Sequence, residues 1–281
     1  MAGQNDNRRA RLAAQQDAQE RELARSRNRR LLLAGGAIVV VVAVVLAFVL
    51  SGHGGSPAPT AGSTAKPPAG NASTSVLGQL TSVPAATLDQ VGAGQTSTNP
   101  TSISGAPLTS GGKPEVLYIG AEFCPYCAAE RWAVIVALSR FGSFSGLAPI
   151  RSAAKDGGGT AEPYPLTPTW TFAKATYTSK YLTFTPVEAY TNVPDAATGF
   201  YTALQTPTAA QQALLSKYDA AYQDAIPFID FGNKFLSVGA SYNPGVLSGL
   251  TWGQIAADLH NPASSVAKSN TNPRTASLEI P

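Results

Sequence analysis

The architecture of this chain follows from one stretch, Val116-Leu117-Tyr118-Ile119-Gly120-Ala121-Glu122-Phe123-Cys124-Pro125-Tyr126-Cys127. The apolar run at 116–119 predicts a β-strand that ends near Ala121, and the residues after it favour a helix that begins at Cys124. Cys124 and Cys127 are the only two cysteines in the chain of 281 residues. Their spacing within one helical turn directs attention to the chemistry of this pair.

The position of Cys124 at a helix N-terminus favours reactivity. Unpaired backbone N–H groups and the positive end of the helix dipole stabilise a thiolate there. Cys127 lies on the same face of the first turn, from which it can close a disulfide with Cys124. Pro125 suits the first helical position, where no N–H is needed. These features predict a redox-active dithiol in which Cys124 exchanges with a substrate and Cys127 resolves the mixed disulfide.

The N-terminal segment predicts that the chain is anchored in a membrane. Residues 31–50 form an uncharged apolar run long enough to cross a bilayer as one helix. Residues 1–30 carry eight arginines against four acidic residues, so the positive-inside rule places this basic arm in the cytoplasm. A cleaved signal peptide is the alternative, although the apolar run exceeds the usual length. We therefore expect a single-pass cell-membrane protein that contacts the lipid bilayer through residues 31–50 and has an extracytoplasmic C-terminal domain.

Composition divides the remainder of the chain into three parts. Residues 51–75 consist almost wholly of Gly, Ser, Pro, Ala, Thr and Asn, which predicts a flexible linker. Apolar periodicity persists over residues 76–262, enough for one domain with its own core. Residues 263–281 lack periodicity and predict a loose tail. Beyond residue 30 the net charge is −1, so nothing favours nucleic acid as a partner.

Further elements are predicted around the motif. Its helix extends to residue 141 and is apolar nearly all round, with Glu130 and Arg131 interpreted as a solvated or ion-paired edge. Residues 147–153 are expected to return as a strand parallel to the first. The other predictions are a helix at 84–91, strands at 170–177 and 181–190 with Pro186 at an edge or bulge, a helix from 206 to near 224, a β-hairpin at 226–238 about Gly232-Asn233, and a helix opened by a Thr251–Gln254 capping box.

This element order and two stretches of sequence carry a family resemblance. The stretches are Gly120-Ala121-Glu122-Phe123-Cys124-Pro125-Tyr126-Cys127-Ala128-Ala129-Glu130-Arg131-Trp132 and Ile226-Pro227-Phe228-Ile229. On them the chain resembles thioredoxins and the extracytoplasmic disulfide oxidoreductases of the DsbA type. It looks more specifically like an actinobacterial membrane-anchored family known only as domain of unknown function 929.

The resemblance implies a fold and a substrate site. The expected fold is α/β and thioredoxin-like, with a central mixed sheet flanked by helices, an inserted segment of strands and a helix, and a single transmembrane helix before it. The resemblance also implies that Pro227 is cis and faces the cysteines, so that Ile226 and Pro227 bind substrate. An ordinary trans proline at the start of a strand is the alternative.

Departures from these relatives point to residues that tune the site. Glu122-Phe123 precedes Cys124 where thioredoxins have a tryptophan, and Tyr126 stands where DsbA proteins typically have histidine. The pair Pro125-Tyr126 matches many glutaredoxins instead. Pro125, Tyr126 and Glu122 are therefore candidate modulators of the dithiol.

The functional prediction is a membrane-anchored thiol–disulfide oxidoreductase that needs no cofactor and acts on cysteine-containing extracytoplasmic proteins. Oxidising surroundings favour disulfide donation, with a membrane redox partner that resets the dithiol. The same residues would reduce substrates if that partner supplied electrons. The direction of electron flow is set by a redox potential that the sequence does not contain.

Other interpretations of the same residues are weaker. Zinc needs four ligands, and beyond the cysteines the chain has only His53 and His260, so no metal is predicted. A purely structural disulfide would close a small loop and restrict the unfolded chain little. A non-catalytic binding module could keep such a disulfide and grip a partner with residues 170–190, although those aromatic residues are typical of strand packing.

Overall fold

The computed structural model describes residues 72–92, 94–97, 99–155, 159–219 and 225–270. The predicted basic arm, the predicted membrane helix and most of the predicted linker lie outside these residues, as does the end of the predicted tail. Within the described part of the chain, no helix combines the length and the apolar character needed to cross a membrane.

The described residues form a mixed α/β structure. The strands are β1 (Thr101–Ser102), β2 (Thr109–Ser110), β3 (Lys113–Gly120), β4 (Gly142–Ser145), β5 (Ala148–Arg151), β6 (Pro168–Thr171), β7 (Thr176–Ser179), β8 (Thr183–Glu188), β9 (Tyr190–Asp195), β10 (Phe200–Ala203), β11 (Phe228–Phe231) and β12 (Phe235–Val238). The helices are α1 (Ala72–Thr81), α2 (Ala85–Val91), α3 (Pro125–Leu138), α4 (Ala209–Asp219), α5 (Trp252–Leu259) and α6 (Ser265–Asn270), with a 3₁₀ turn at Pro244–Leu247.

Strand β3 lies at the centre of a six-stranded mixed sheet. Strand β8 pairs with β3 in parallel, and β11 pairs with it antiparallel, so that Tyr118 lies between Pro186 and Ile229. Strands β12 and β1 extend the sheet beyond β11, and the short β2 pairs with the first two residues of β3. The β4–β7, β5–β6 and β9–β10 pairs form separate two-stranded ladders. The cysteine motif therefore follows the most central strand.

The side chains of β3 enter two apolar clusters. Val116 and Tyr118 belong to the larger cluster, which also contains much of α3. Leu117 and Ile119 belong to a smaller cluster, together with Leu215 of α4. A strand that is buried on both faces reads as a continuous apolar run, which explains the sequence pattern before the motif.

The predicted parallel partner of β3 is wrong. Residues 147–153 contain β5, which pairs antiparallel with β6, whereas the parallel neighbour of β3 is β8. Strand β5 reads Ala-Pro-Ile-Arg and is partly exposed, so it cannot fill a position between two apolar layers. Strand β8 supplies the buried Phe184 and Val187 instead. Pro186 lies on β8, an edge strand of the sheet, as predicted.

Predictions that rest on local chemistry agree with the structure. Helix α2 occupies the helix predicted at 84–91. The β11–β12 hairpin turns at Gly232 and Asn233, whose φ angles of 63° and 58° are tolerated by glycine and asparagine. Thr251 and Gln254 form the predicted capping box at the start of α5.

The inserted segment departs from the prediction. The strand predicted at 170–177 is divided between β6 and β7, and the one at 181–190 contains β8. Strands β9 and β10 form a hairpin that was not predicted, because these short strands lack the apolar alternation of a half-buried strand. Helix α3 ends at Leu138 rather than at 141.

Two helices extend beyond the domain predicted at 76–262. Helix α1 begins at Ala72, inside the linker predicted at 51–75, and α6 lies in the tail predicted at 263–281. Both helices pack on α5, and Val266 and Ala267 of α6 are buried. Such short helices are marginal in isolation and are stabilised by packing, so periodicity alone does not reveal them.

Candidate active site

The two cysteines lie at the start of α3, directly after β3. Cys124 occupies the N-cap position, with φ −71° and ψ 122°, and Pro125 is the first helical residue. The Cys124 Sγ accepts a hydrogen bond from the Cys127 backbone N–H at 3.2 Å. Both cysteines are free thiols. The chain therefore presents a dithiol in which the first sulfur also caps the helix.

The two thiols have opposite tendencies to ionise. Cys127 is fully buried, whereas Cys124 is 4% exposed. Burial raises the pKa of Cys124, but hydrogen bonds from the Cys127 thiol and backbone N–H, together with the charge of Arg131, outweigh burial and lower that pKa below the usual value of a thiol. Burial and the hydrogen bond to Cys124 raise the pKa of Cys127 well above its usual value. Cys124 is therefore the thiol that ionises first.

Pro227 lies close to the dithiol. The Ile226–Pro227 peptide bond is cis, as predicted. The Ile226 carbonyl oxygen lies 3.8 Å from the Cys124 Sγ, within reach of a thiol hydrogen bond. The Pro227 carbonyl accepts a hydrogen bond from the Gly239 N–H at 2.8 Å. The fold thus brings together residues 124 and 226, which are far apart in the sequence.

A buried ion pair joins α3 to β8, one helical turn after Cys127. The side chains of Arg131 and Glu188 have no exposed surface. The Nε and Nη2 atoms of Arg131 donate to the two carboxylate oxygens of Glu188 at 2.9 and 2.7 Å, a bidentate arrangement. The Nη2 atom also donates to the Ala121 carbonyl at 2.7 Å. Burial lowers the pKa of Arg131, but Glu188 raises it well above its usual value, so the guanidinium stays charged.

The interpretation of Glu130 and Arg131 as a solvated edge is wrong, although Arg131 is ion-paired. Both side chains are buried. Glu130 Oε2 accepts hydrogen bonds from the backbone N–H and the Oγ of Ser241 at 2.8 and 2.7 Å. A helix packed on nearly all sides leaves no solvated edge, so each charge requires a partner from a neighbouring element. Burial raises the pKa of Glu130, and the hydrogen bonds from Ser241 act against that rise.

Tyr118 completes the cluster around Arg131. Its ring centroid lies 5.9 Å from the Arg131 Cζ, and the ring meets Phe172 edge to face at 5.1 Å. A Cβ atom on Gly120 would overlap the Tyr118 hydroxyl, so a side chain at residue 120 would displace the tyrosine. Burial raises the pKa of Tyr118 well above its usual value, so the phenol stays neutral. The sequence pattern does not point to Tyr118 or Glu188, because only strand pairing places them beside Arg131.

The candidate modulators are placed differently from one another. Tyr126 is 40% exposed, and its ring meets that of Tyr164 edge to face at 5.8 Å. The Glu122 carboxylate accepts a hydrogen bond from the Thr171 Oγ1 at 2.6 Å. Burial raises the pKa of Glu188 and outweighs the charge and hydrogen bonds of Arg131, which lower it; the charge of Glu122 makes a smaller upward contribution. Of these two candidate modulators, Glu122 thus contacts Thr171, and Tyr126 is the one whose side chain is exposed to solvent.

The β9–β10 hairpin covers Phe123, the residue before the first cysteine. The Phe123 ring stacks on Tyr201 with centroids 4.1 Å apart and an interplanar angle of 6°. Phe200 meets Phe123 edge to face at 5.4 Å, and Tyr190 lies 6.3 Å away. The sequence pattern does not assign these aromatic residues to the site, because only the folded hairpin brings them close to Phe123. The hairpin holds the residue that precedes Cys124.

The described residues contain no group of three or more His, Cys, Asp and Glu side chains placed to hold a metal ion. The Nε2 atom of His260 lies 2.9 Å from the Gln79 carbonyl oxygen. His53 lies outside the described residues. The groups around the dithiol thus include Arg131, the phenols of Tyr118 and Tyr126, and buried carboxylates.

Comparison with known proteins gives a family and no activity. The model of a family described as a domain of unknown function (DUF929) matches residues 99–274, more than half of the chain. Searches of curated proteins and of solved structures found no match. The geometry of the dithiol is therefore the basis for assigning a function.

Proposed function

This chain belongs to the DUF929 family, and we propose that it is a thiol–disulfide oxidoreductase that acts through Cys124 and Cys127. The observation that carries the proposal is the asymmetry of the two thiols. Cys124 caps a helix, has a lowered pKa and lies beside the Ile226 carbonyl, whereas Cys127 is buried with a raised pKa. This asymmetry separates an attacking sulfur from a resolving sulfur.

We also propose that the fold is thioredoxin-like. The support comes from the strands around the motif, since β3 has a parallel neighbour in β8 and an antiparallel neighbour in β11. Helices α3 and α4 contribute to the apolar clusters on the two faces of this sheet. The cis proline, Pro227, directly precedes β11 and lies close to Cys124. The thioredoxin resemblance implies a mixed sheet flanked by helices and a cis proline that faces the cysteines.

In the dithiol form, exchange begins at Cys124. Its thiolate attacks one sulfur of a substrate disulfide, a bond forms between the two sulfurs, and the other substrate sulfur leaves as a thiolate that takes up a proton. Cys127 then loses its proton to solvent and attacks the Cys124 sulfur. The bond between Cys124 and the substrate breaks, the Cys124–Cys127 disulfide forms, and two electrons have passed to the substrate.

The proposed physiological direction is the reverse. A pair of substrate thiols gives two electrons to the Cys124–Cys127 disulfide, and a membrane redox partner removes them from the dithiol. The charge of Arg131 and the hydrogen bonds to Cys124 stabilise the thiolate, and stabilising the reduced form makes the disulfide a stronger oxidant. Extracytoplasmic surroundings also favour oxidation, although the predicted anchor at 31–50 lies outside the described residues.

The alternative is a binding module that grips a partner with residues 170–190. Trp170 and Phe172 are buried in the larger apolar cluster and thus cannot contact a partner directly. Among the large apolar side chains of this segment, Tyr181 is the exposed one. Side-chain placement therefore favours the oxidoreductase.

The test is a trap for the mixed disulfide in intact cells that carry the full chain. Cys127→Ala removes the resolving thiol, so protein species linked to Cys124 should accumulate and should disappear on reduction. Cys124→Ala is the matched control, and in that variant the linked species should be absent. A Cys127→Ala chain that traps nothing, with wild-type thiols inert to small disulfides, contradicts the proposal. A binding module would keep its partner when Cys124 is replaced.

A further inference from the structure

Glu130 is a buried carboxylate that the proposed exchange does not use. It lies on α3, six residues after Cys124, and is 1% exposed. Both of its hydrogen bonds come from Ser241, one from the backbone N–H at 2.8 Å and one from the Oγ at 2.7 Å. The Ser241 carbonyl in turn accepts hydrogen bonds from the N–H and Oγ of Ser97. Glu130 therefore ties α3 to a segment that is fixed from its other side as well.

That segment, residues 239–242, is hydrogen-bonded to the cis proline. The Gly239 N–H donates to the Pro227 carbonyl at 2.8 Å. At the other end of the segment, the Tyr242 hydroxyl donates to the Ala129 carbonyl of α3 at 2.6 Å. Two consecutive residues of α3 thus hold one end of the segment, while the other end holds Pro227. This path connects α3 to Pro227, in addition to the pairing of β11 with β3.

The free energy of burial indicates that Glu130 has a role other than stability. A carboxylate removed from water costs several kcal/mol unless hydrogen bonds replace its hydration, and well-packed apolar side chains at such positions are often at least as stabilising. Its two hydrogen bonds require a defined position and orientation of Ser241, which an apolar contact would not impose. A buried polar link of this kind specifies geometry.

We infer that Glu130 is a positioning residue for thiol–disulfide exchange. It holds residues 239–242, and through them the backbone at Ile226 and Pro227, at a fixed distance from the Cys124 sulfur. A peptide substrate aligned on that backbone then meets Cys124 with its own sulfur in line. This inference rests on the proposed function, and it adds a residue that acts through Ser241 and does not touch the reacting sulfurs.

The experiment compares two probes with the full chain in detergent. One probe is a short peptide with one disulfide between a fluorophore and a quencher, and the other is 2-hydroxyethyl disulfide, which has no peptide group to align. Glu130→Met removes the oxygen that accepts both hydrogen bonds from Ser241 and keeps the length of the side chain. It should lower the second-order rate constant for the peptide about tenfold, because small misplacements of reacting groups reduce rates strongly. The rate constant for 2-hydroxyethyl disulfide should change less than about twofold. The pH midpoint of thiolate absorbance at 240 nm should stay unchanged.

Two further variants distinguish a displaced segment 239–242 from a failure of the chain to fold. Ser241→Ala removes one of the two hydrogen bonds and should give an intermediate loss for the peptide, together with faster hydrogen exchange at the Gly239 N–H. The double variant Glu130→Met/Ser241→Ala should be no slower than Glu130→Met alone. Asp89→Asn, at an exposed position on α2, is the matched control for removal of an acid and should behave as wild type.

The outcomes distinguish this inference from the proposed function. Wild-type rates with the peptide in both Glu130→Met and Ser241→Ala overturn the positioning role, as does an equal loss with both probes or a shifted thiolate midpoint. If Glu130→Met does not fold, Ser241→Ala and the exchange of the Gly239 N–H decide the matter. A wild-type chain that reacts with neither probe overturns the proposed function itself.

Discussion

Two buried carboxylates lie on the strands that flank β3, and they are stabilised in different ways. Glu188 on β8, close to the dithiol, accepts a bidentate pair of hydrogen bonds from Arg131. Asp230 on β11 accepts one hydrogen bond from the Asn233 N–H at 2.6 Å, and its Oδ2 makes no hydrogen bond within the described residues. Burial, more than repulsion from Glu115, raises the pKa of Asp230 to about 6.

The contrast indicates that charge is balanced where it affects the cysteines and left unbalanced elsewhere. Arg131 acts on both thiols as well as on Glu188. Asp230 interacts instead with Glu115 and Lys217, whereas Arg131 is the charged residue that affects the pKa of each thiol. We therefore expect pH to act on stability through Asp230 and substitutions around Arg131 to act on the dithiol.

The largest expected effect comes from breaking the ion pair between Arg131 and Glu188. Arg131→Met leaves the Glu188 carboxylate buried without a cation to neutralise it, which should reduce the free energy of unfolding by about 3–5 kcal/mol. Urea unfolding of the full chain in detergent measures the change. Arg140→Met, at an exposed position after α3, is the control and should cost less than about 0.5 kcal/mol. If Arg131→Met/Glu188→Leu is no more stable than Arg131→Met, the loss is not due to an uncompensated charge.

The buried carboxylate of Asp230 should make the free energy of unfolding depend on pH. Because the pKa of Asp230 is about 6 in the folded chain against 3.8 ordinarily, the folded state binds the proton more tightly. Its contribution to stability is thus complete below about pH 4 and is lost as pH rises to about 6, by at most about 3 kcal/mol. Asp230→Asn should remove that part of the change between pH 4 and pH 7 in urea unfolding. A pH dependence equal to that of wild type contradicts the assignment, and Asp89→Asn is the control.

The two carboxylates should also differ in their effect on the dithiol. Glu188→Gln removes the negative charge that offsets Arg131, so the pKa of Cys124 should fall by about one unit. Asp230→Asn should leave that pKa unchanged. Absorbance at 240 nm against pH follows the thiolate in both variants. Equal shifts in the two variants, or a rise in Glu188→Gln, would contradict the view that Arg131 is the main charge acting on Cys124.

The smallest expected effect concerns Glu122. Its carboxylate accepts a hydrogen bond from Thr171, and a glutamine amide oxygen can accept the same bond. Glu122→Gln should therefore change the free energy of unfolding by less than about 0.5 kcal/mol. Thermal unfolding of wild type and variant side by side tests this. A loss of 2 kcal/mol or more, on the scale of about 1–3 kcal/mol for an unpaired buried group, would place Glu122 among the buried charges that require compensation.

Local patterns predicted much of the fold and part of the site. The strand before the motif, the helix after it, the hairpin at Gly232-Asn233 and the capping box of α5 each depend on residues close together in sequence. The parallel partner of β3 was assigned to residues 147–153, although it is β8. Which strands pair depends on how their side chains are buried on both faces of the sheet. The hydrophobic periodicity of one segment does not show this.

Two cysteines within one helical turn and a proline before an apolar strand are properties of the sequence alone, and they define the chemistry that is available. The surroundings of that chemistry depend on the tertiary structure. Arg131 and Glu130 are neighbours in the chain, yet each is hydrogen-bonded to a residue far away in sequence. Arg131 donates to Glu188, and Glu130 accepts from Ser241. Burial explains this arrangement, because a charge removed from water needs a polar or charged partner, and here only the packing of distant elements supplies one.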